Sequence, residues 1–200
     1  PNVETPNLRV KIPSGVTEIA SNALRGTSAY HIVSVDFSEA VSLKAIRSQA
    51  FMYNTYLSGE LVLPESLKTL EKSAFNGCTG LTGITLPSGL ETLGTTDSGS
   101  VFNGCSGLLY IKVTGGDPGA VFELPASLKI IGRQSFKECF SSSVNTSVVL
   151  PESVEYVGEE AFKTDAITTI HVQAADASAY NGRAFVSEAN SSASYALGGR

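Results

Sequence analysis

An octet of the form aliphatic-Pro-x-x-aliphatic-x-x-aliphatic recurs along this chain, and a fixed period constrains a fold more tightly than any single motif does. The clearest copies begin at Leu63-Pro64-Glu65-Ser66-Leu67-Lys68-Thr69-Leu70, Leu86-Pro87, Leu124-Pro125 and Leu150-Pro151, with an earlier one at Ile12-Pro13. Counted from each proline, aliphatic residues fall at +3 and +6. A small residue followed by Phe or Leu falls at +10 and +11, giving Ala23-Leu24, Ala74-Phe75, Ser135-Phe136 and Ala161-Phe162. The copy at Pro87 reaches its pair, Val101-Phe102, four residues late, after the turn-rich Thr95 to Ser100. Two frames keep the spacing without the proline. One starts at Ala40 and runs through Leu43, Ile46 and Ala50-Phe51; the other starts at Ala174 and runs through Ala177, Tyr180 and Ala184-Phe185.

Pro64 to Pro87 is 23 residues, and so is Phe162 to Phe185. The longer step from Pro87 to Pro125 contains the four-residue delay and an insertion around Thr114 to Glu123, and the step to Pro151 contains about three extra residues near Ser141 to Ser143. Seven coils account for nearly all 200 residues, so 1–200 reads as a single domain with 1–24 as an N-terminal cap coil and 174–200 as a degenerate C-terminal coil.

Before each proline stands a short alternating segment: Val10-Lys11-Ile12, Val35-Asp36-Phe37, Leu61-Val62-Leu63, Ile84-Thr85-Leu86, Ile111-Lys112-Val113, Val148-Val149-Leu150 and Ile170-His171-Val172. Period two with β-branched residues predicts a strand whose outer two side chains face inward and whose middle one faces solvent. Proline has no N–H, so it ends the strand where the coil must turn. The +3, +6 and +11 residues return apolar groups to the interior from the far side. A single coil cannot enclose them, so neighbours must stack and their strands form a parallel sheet. The Phe side chains are then expected to line up as a spine.

Composition agrees with a folded chain that carries little charge: 42% hydrophobic and 16% charged residues, with a net charge of −5. That balance gives no positive field for nucleic acid or anionic lipid. No run approaches the 18 or so apolar residues of a membrane span. Pro1 opens the sequence and Met52 is the only methionine, which leads us to expect the body of a longer, exported precursor.

The run Leu-Pro-x-Ser-Leu-x-x-Leu-x-x-x-Ala-Phe-x-x-Cys-x-x-Leu-x-x-Ile-x-Leu-Pro, uninterrupted from Leu63 through Asn76-Gly77-Cys78, Leu81 and Ile84 to Pro87, resembles the BspA-type leucine-rich repeat. The likeness extends over about 12 to 197. It implies an α/β fold: a right-handed leucine-rich-repeat solenoid with a parallel strand sheet on one face and short helical turns and irregular segments elsewhere. The family is common on surface or secreted proteins of anaerobic gut and oral bacteria and of some mucosal parasites, and some members adhere to host matrix proteins or to other microbes. The expectation for function is a monomeric, non-catalytic binding or adhesion module at the bacterial surface or outside the cell. Its partner would be an extracellular protein or glycan, with no nucleic acid and no membrane insertion. A structural spacer within a larger surface protein is the alternative, and a hydrolase the remote one.

Residues that suggest chemistry do not assemble into a catalytic set. Cys78, Cys105 and Cys139 each follow a coil Phe by three, a slot held elsewhere by Thr27, Asn54 and Asp165, so they read as buried turn residues with free thiols. Their spacing matches no CxxC-type zinc site, and His31 and His171 lie in no metal-binding pattern, so neither metal nor cofactor is expected. Glu159 and Glu160 are adjacent and point different ways, unlike a glycosidase pair, and read as solvated. The Gly-rich Thr114 to Gly119 lacks the Lys and helix start of a phosphate loop and reads as a turn cluster or protruding hairpin. Two sequons, Asn145-Thr146-Ser147 and Asn190-Ser191-Ser192, are short enough to arise by chance. The remaining surface is the row of strand centres. The candidate contact residues are Lys11, Asp36, Thr85, Lys112 and His171, with Asp117 from the insertion.

Overall fold

The computed structural model describes residues 5–173 and the backbone of 194–197. In chain order its strands are β1 (Asn7–Lys11), β2 (Glu18–Ile19), β3 (His31–Asp36), β4 (Ala45–Ile46), β5 (Gly59–Val62), β6 (Thr69–Leu70), β7 (Leu81–Leu86), β8 (Thr92–Leu93), β9 (Tyr110–Val113), β10 (Ile130–Ile131), β11 (Thr146–Leu150), β12 (Tyr156–Val157), β13 (Ile167–Val172) and β14 (Ser194–Leu197). Odd-numbered strands β1 to β13 carry the short alternating segments, with a proline directly after the segment in the coils of β1, β5, β7 and β11. They pair in parallel as three ribbons, β1-β3, β5-β7-β9 and β11-β13-β14. The even-numbered strands β2 to β12 form a second parallel sheet, six strands long, on the other side of the coil. The frame proposed for Ala174, Ala177, Tyr180 and Ala184-Phe185, and with it most of the C-terminal cap, lies outside the described residues.

The architecture is therefore a parallel β-solenoid of about seven turns, which corrects the sequence reading twice. Strands occupy two faces, not one, because the residue at +6 makes a two-residue ladder with its neighbours, as in Ile46↔Leu70↔Leu93↔Ile131↔Val157. No helix occurs among the described residues, where the resemblance implied short helical turns. The reason lies in the backbone hydrogen bonds. Around each coil Phe, alternate N–H groups close three-residue turns, as from Ala74 to Glu71 O and from Asn76 to Ser73 O. Those between reach across to the next coil, as from Phe51 to Ala74 O (2.8 Å), from Phe75 to Val101 O (2.9 Å) and from Phe102 to Ser135 O (2.9 Å). Donors committed sideways leave no i→i−4 series to build a helix.

This path needs a left-handed residue at +9, where Asn22, Gln49, Ser73, Gln134 and Glu160 all have φ between 54° and 61°. The sequence gives those positions no glycine, so each coil accepts a residue-level strain of about 1–2 kcal/mol. The serine of the Leu-Pro-x-Ser motif also has a structural task. Ser66, Ser127 and Ser153 donate their hydroxyls to carbonyls of the preceding coil, satisfying acceptors that the turn would otherwise bury.

Inside, the expected spine is present. Phe51, Phe75, Phe102, Phe136 and Phe162 stack in sequence with ring centroids 5.0, 5.8, 5.9 and 5.4 Å apart and interplanar angles of 2° to 22°. The first four are completely buried. Leu24, in the same slot of the first coil, is only half-buried, as a coil with one neighbour must be.

The insertion is not a protruding hairpin. After β9 the chain turns through Thr114 to Ala120 and returns alongside β9 in the parallel sense. Ile111 N–H donates to Val121 O and Glu123 N–H to Ile111 O, both at 2.8 Å. Phe122 is buried and its ring lies 5.0 to 6.1 Å from those of Phe136, Phe140 and Phe162. The segment takes the place beside β9 that the next coil would take. β9 and β11 consequently do not pair, while β8 and β10 on the other face do.

Candidate binding surface

Parallel pairing brings the strand-centre residues into lateral register. Lys11 lies beside Asp36; Val62, Thr85 and Lys112 form a second run; and Val149, His171 and Ala196 form a third. The row is thus three patches, interrupted between β3 and β5 and again where the inserted segment parts β9 from β11.

Most of its polar members already have partners within the chain. Lys11 Nζ is 2.7 Å from Glu39 Oε1. Asp36 Oδ1 accepts the Ser38 N–H at 2.8 Å, which holds the carboxyl below its ordinary range. Thr85 Oγ1 donates to Glu60 at 2.6 Å. Lys112 is half-buried, because Nζ donates to Pro118 O at 2.8 Å and stands 4.6 Å from the Tyr110 ring centroid. Asp117 Oδ1 accepts the Gly119 N–H at 2.8 Å and so shapes the insertion turn. His171, Val62 and Val149 are exposed.

Two residues of this face escaped the sequence reading. Tyr110 lays its ring over Gly83, its register partner, where even a Cβ would collide with the ring. Burial first, and Glu60 second, push its phenol above the ordinary value. A glycine inside a strand is the signal that something packs closely there, and it pointed to this aromatic cover. Val41, on the turn after β3, is 69% exposed and carries no periodic signature.

The cysteines behave as turn residues. Cys78 Sγ donates to Phe51 O, Cys105 Sγ to Phe75 O and Cys139 Sγ to Phe102 O, at 3.2, 3.2 and 2.8 Å. All three are free thiols and buried. Asn54 does the same in its coil, donating to Leu24 O and Phe51 O. In the next coil after Cys139 the task falls to Thr164, whose hydroxyl donates to Cys139 O at 2.6 Å, and not to Asp165, because that turn is one residue shorter. Burial pushes the Cys78 thiol up to about 12 and raises the Cys105 and Cys139 thiols well above the ordinary value. Thiolate is the reactive form. A thiol-modifying disulfide reagent at neutral pH should leave all three unmodified in the folded chain and titrate three in denaturant; rapid reaction of any in the native state would contradict this burial.

His31 stacks on Tyr56 with centroids 3.6 Å apart. Among the described residues no three His, Cys, Asp or Glu side chains converge on a common point. Glu159 and Glu160 are not simply solvated. Glu159 is 3.4 Å from the Arg133 guanidinium. Glu160 accepts from the Gln134 amide at 2.7 Å and pairs with Lys137 and Lys163 at 3.1 and 3.2 Å, which together pull its carboxyl down to about 2. Its folded value lies below the unfolded one near 4.5, so the stabilisation is complete above about pH 4.5 and disappears as pH falls toward 2. Denaturant midpoints should fall on acidification through this window, and the fall should be smaller in Glu160→Gln. An identical pH dependence in the variant would show that the cluster contributes nothing.

A family model described as BspA type leucine rich repeat region matches residues 5–115 and 120–194 in six copies, and the unmatched step falls in the insertion turn. Among solved structures the chain is similar to the pneumococcal vaccine antigen PcpA, at 16% identity and a TM-score of 0.49, over 84% of this chain and 55% of that one. It is also similar to a leucine-rich repeat protein from Bacteroides ovatus ATCC 8483, at 22% identity and a TM-score of 0.38, over 82% of this chain and 49% of that one. The chain spans about half the length of each. No curated protein matches it.

Proposed function

The chain belongs to the BspA-type leucine-rich repeat family, and on that premise we propose that it is a non-catalytic, monomeric binding and adhesion module displayed outside a bacterial cell. The observation that carries this reading is the outward series of strand centres, held in register within three patches of two or three coils each, with Val62, Val149 and His171 open to solvent. A shallow surface of this kind suits a macromolecule, whose contacts spread over a wide area, better than a small substrate that needs enclosure. An extracellular protein or a mucin glycan fits that geometry, and the setting would be the surface of a gut or oral anaerobe.

One observation favours a second reading, a spacer within a larger surface protein. Lys11, Asp36, Thr85 and Lys112 spend their polar groups on neighbours in the chain, as a surface built for stiffness would. Capture on immobilised matrix proteins and mucin, compared between the parent and a Val149→Glu/His171→Ala double variant, separates the two. An adhesion module binds at least one of them and loses binding in the variant, while a spacer binds none.

A further inference from the structure

Ribbon β1-β3 does not join ribbon β5-β7-β9, although the coils that bear them are adjacent and β4 and β6 on the opposite face pair normally. A single contact closes one end of this seam, from Ser58 N–H to Val33 O at 3.4 Å. Beyond it no backbone hydrogen bond links the two strands among the described residues, and the seam opens into a cleft of about 620 Å³ toward their C-terminal ends. The extra space coincides with an extra residue. Leu61 follows Phe51 by ten positions, where Ile84 follows Phe75 by nine.

The chemistry of the cleft follows from its walls. Leu63 N–H donates to Thr85 O, toward β7. Alternate residues of a strand direct their N–H and C=O to opposite sides, so those of Glu60 and Val62 face the seam. Asp36 O accepts from Ile12 on the β1 side, which by the same alternation turns the backbone of Val35 toward the seam. Two strand edges with unpaired groups are thus turned toward each other, the arrangement that receives an added strand. Val35, Val41, Val62 and Pro64 give the cleft apolar walls, and Val62 is 54% exposed. Asp36, Glu60 and Glu65 are its charged lining, with no lysine or arginine among the lining residues. Lys11, the register partner of Asp36, is held by Glu39.

We propose that this seam binds an extended peptide segment of alternating aliphatic and Lys or Arg side chains, which adds its backbone to the open strand edges and sets its cations against Asp36, Glu60 and Glu65. The proposal rests on the reading of the chain as a binding module, and narrows it to a partner with an exposed, basic, strand-forming segment. Added as a strand, the segment would turn its aliphatic side chains inward against Val35, which packs on the core, and its cations outward, their stems over the exposed Val62 and their charges replacing water at three carboxylates that have no cation of their own in the cleft.

The test is titration of the ¹⁵N-labelled chain with acetyl-Val-Lys-Val-Lys-Val-amide, with the corresponding Val-Glu-Val-Glu-Val peptide, and with spermine as a cation without a peptide backbone. The basic peptide should shift the amides of Val35, Glu60 and Val62, and the other two probes should not. In an Asp36→Asn/Glu65→Gln variant its affinity should fall by about tenfold or more, the loss expected for removed charge-assisted contacts. Asn and Gln keep the acceptors for Ser38 and Ser88, so the variant should fold, and Glu65→Gln alone should show a smaller loss in the same direction. Equal response to the acidic peptide or to spermine, unchanged affinity in both variants, or no shift at millimolar peptide would overturn the assignment. Failure here with capture on matrix protein or mucin intact removes the seam and leaves the binding reading standing; failure of both removes both.

Discussion

Replacing Phe75 by alanine should lower the free energy of unfolding by about 3–5 kcal/mol, read from the denaturant midpoint and slope. The ring is completely buried and stacked on both sides, against Phe51 and Phe102, so its removal takes away transfer energy and leaves a cavity between two aromatic faces that the backbone ladder holds apart. The coil cannot collapse to fill the gap, because Phe51 N–H and Phe75 N–H fix the spacing through Ala74 O and Val101 O. Leu24→Ala, in the same slot of the first coil, should cost below about 2 kcal/mol, since that side chain is only half-buried. Equal losses at the two positions would contradict a stack in which each coil depends on its neighbours.

A similarly large loss, about 3–5 kcal/mol, is expected for Phe122→Ala. The insertion reads in the sequence as a surface turn, where a substitution would fall within about 0.5 kcal/mol of neutral. In the fold, however, Phe122 fills the wedge opened by the extra strand and touches Phe136, Phe140 and Phe162. Thermal or denaturant unfolding of this one variant decides between a decorative loop and an integral part of the core. A near-neutral result would mean that the wedge closes without the ring.

What could be read in the sequence follows the length of each signal. The aromatic spine was legible because Phe recurs in a fixed frame over five coils, and so were the strand centres, since alternation around Lys11, Asp36, Val62, Thr85, Lys112, Val149 and His171 repeats seven times. The second sheet was not, because two residues such as Thr69-Leu70 are too short to show a period. Phe122 was hidden by its glycine-rich approach, which dominates local turn signals. The slip from Asp165 to Thr164 comes from a change of one residue in coil length. Such a change alters no composition and is visible only when Phe-to-strand distances are compared coil by coil. Of the candidate surface, the sequence placed the row but not its occupancy: whether Lys112 reaches solvent or Pro118 O depends on a turn whose path only the fold reveals.

Native-state hydrogen exchange of the amides of Phe51, Phe75, Phe102 and Phe136 tests the stacking of coils most directly. Each donates to the next coil, at 2.8 to 2.9 Å, and the bonds are sealed behind the rings. These four amides should form one group that exchanges only through global unfolding, with protection approaching the full stability of the chain and exceeding that of Leu24. Independent exchange of the four, each at its own rate and no slower than Leu24, would contradict a solenoid held together as one cooperative unit.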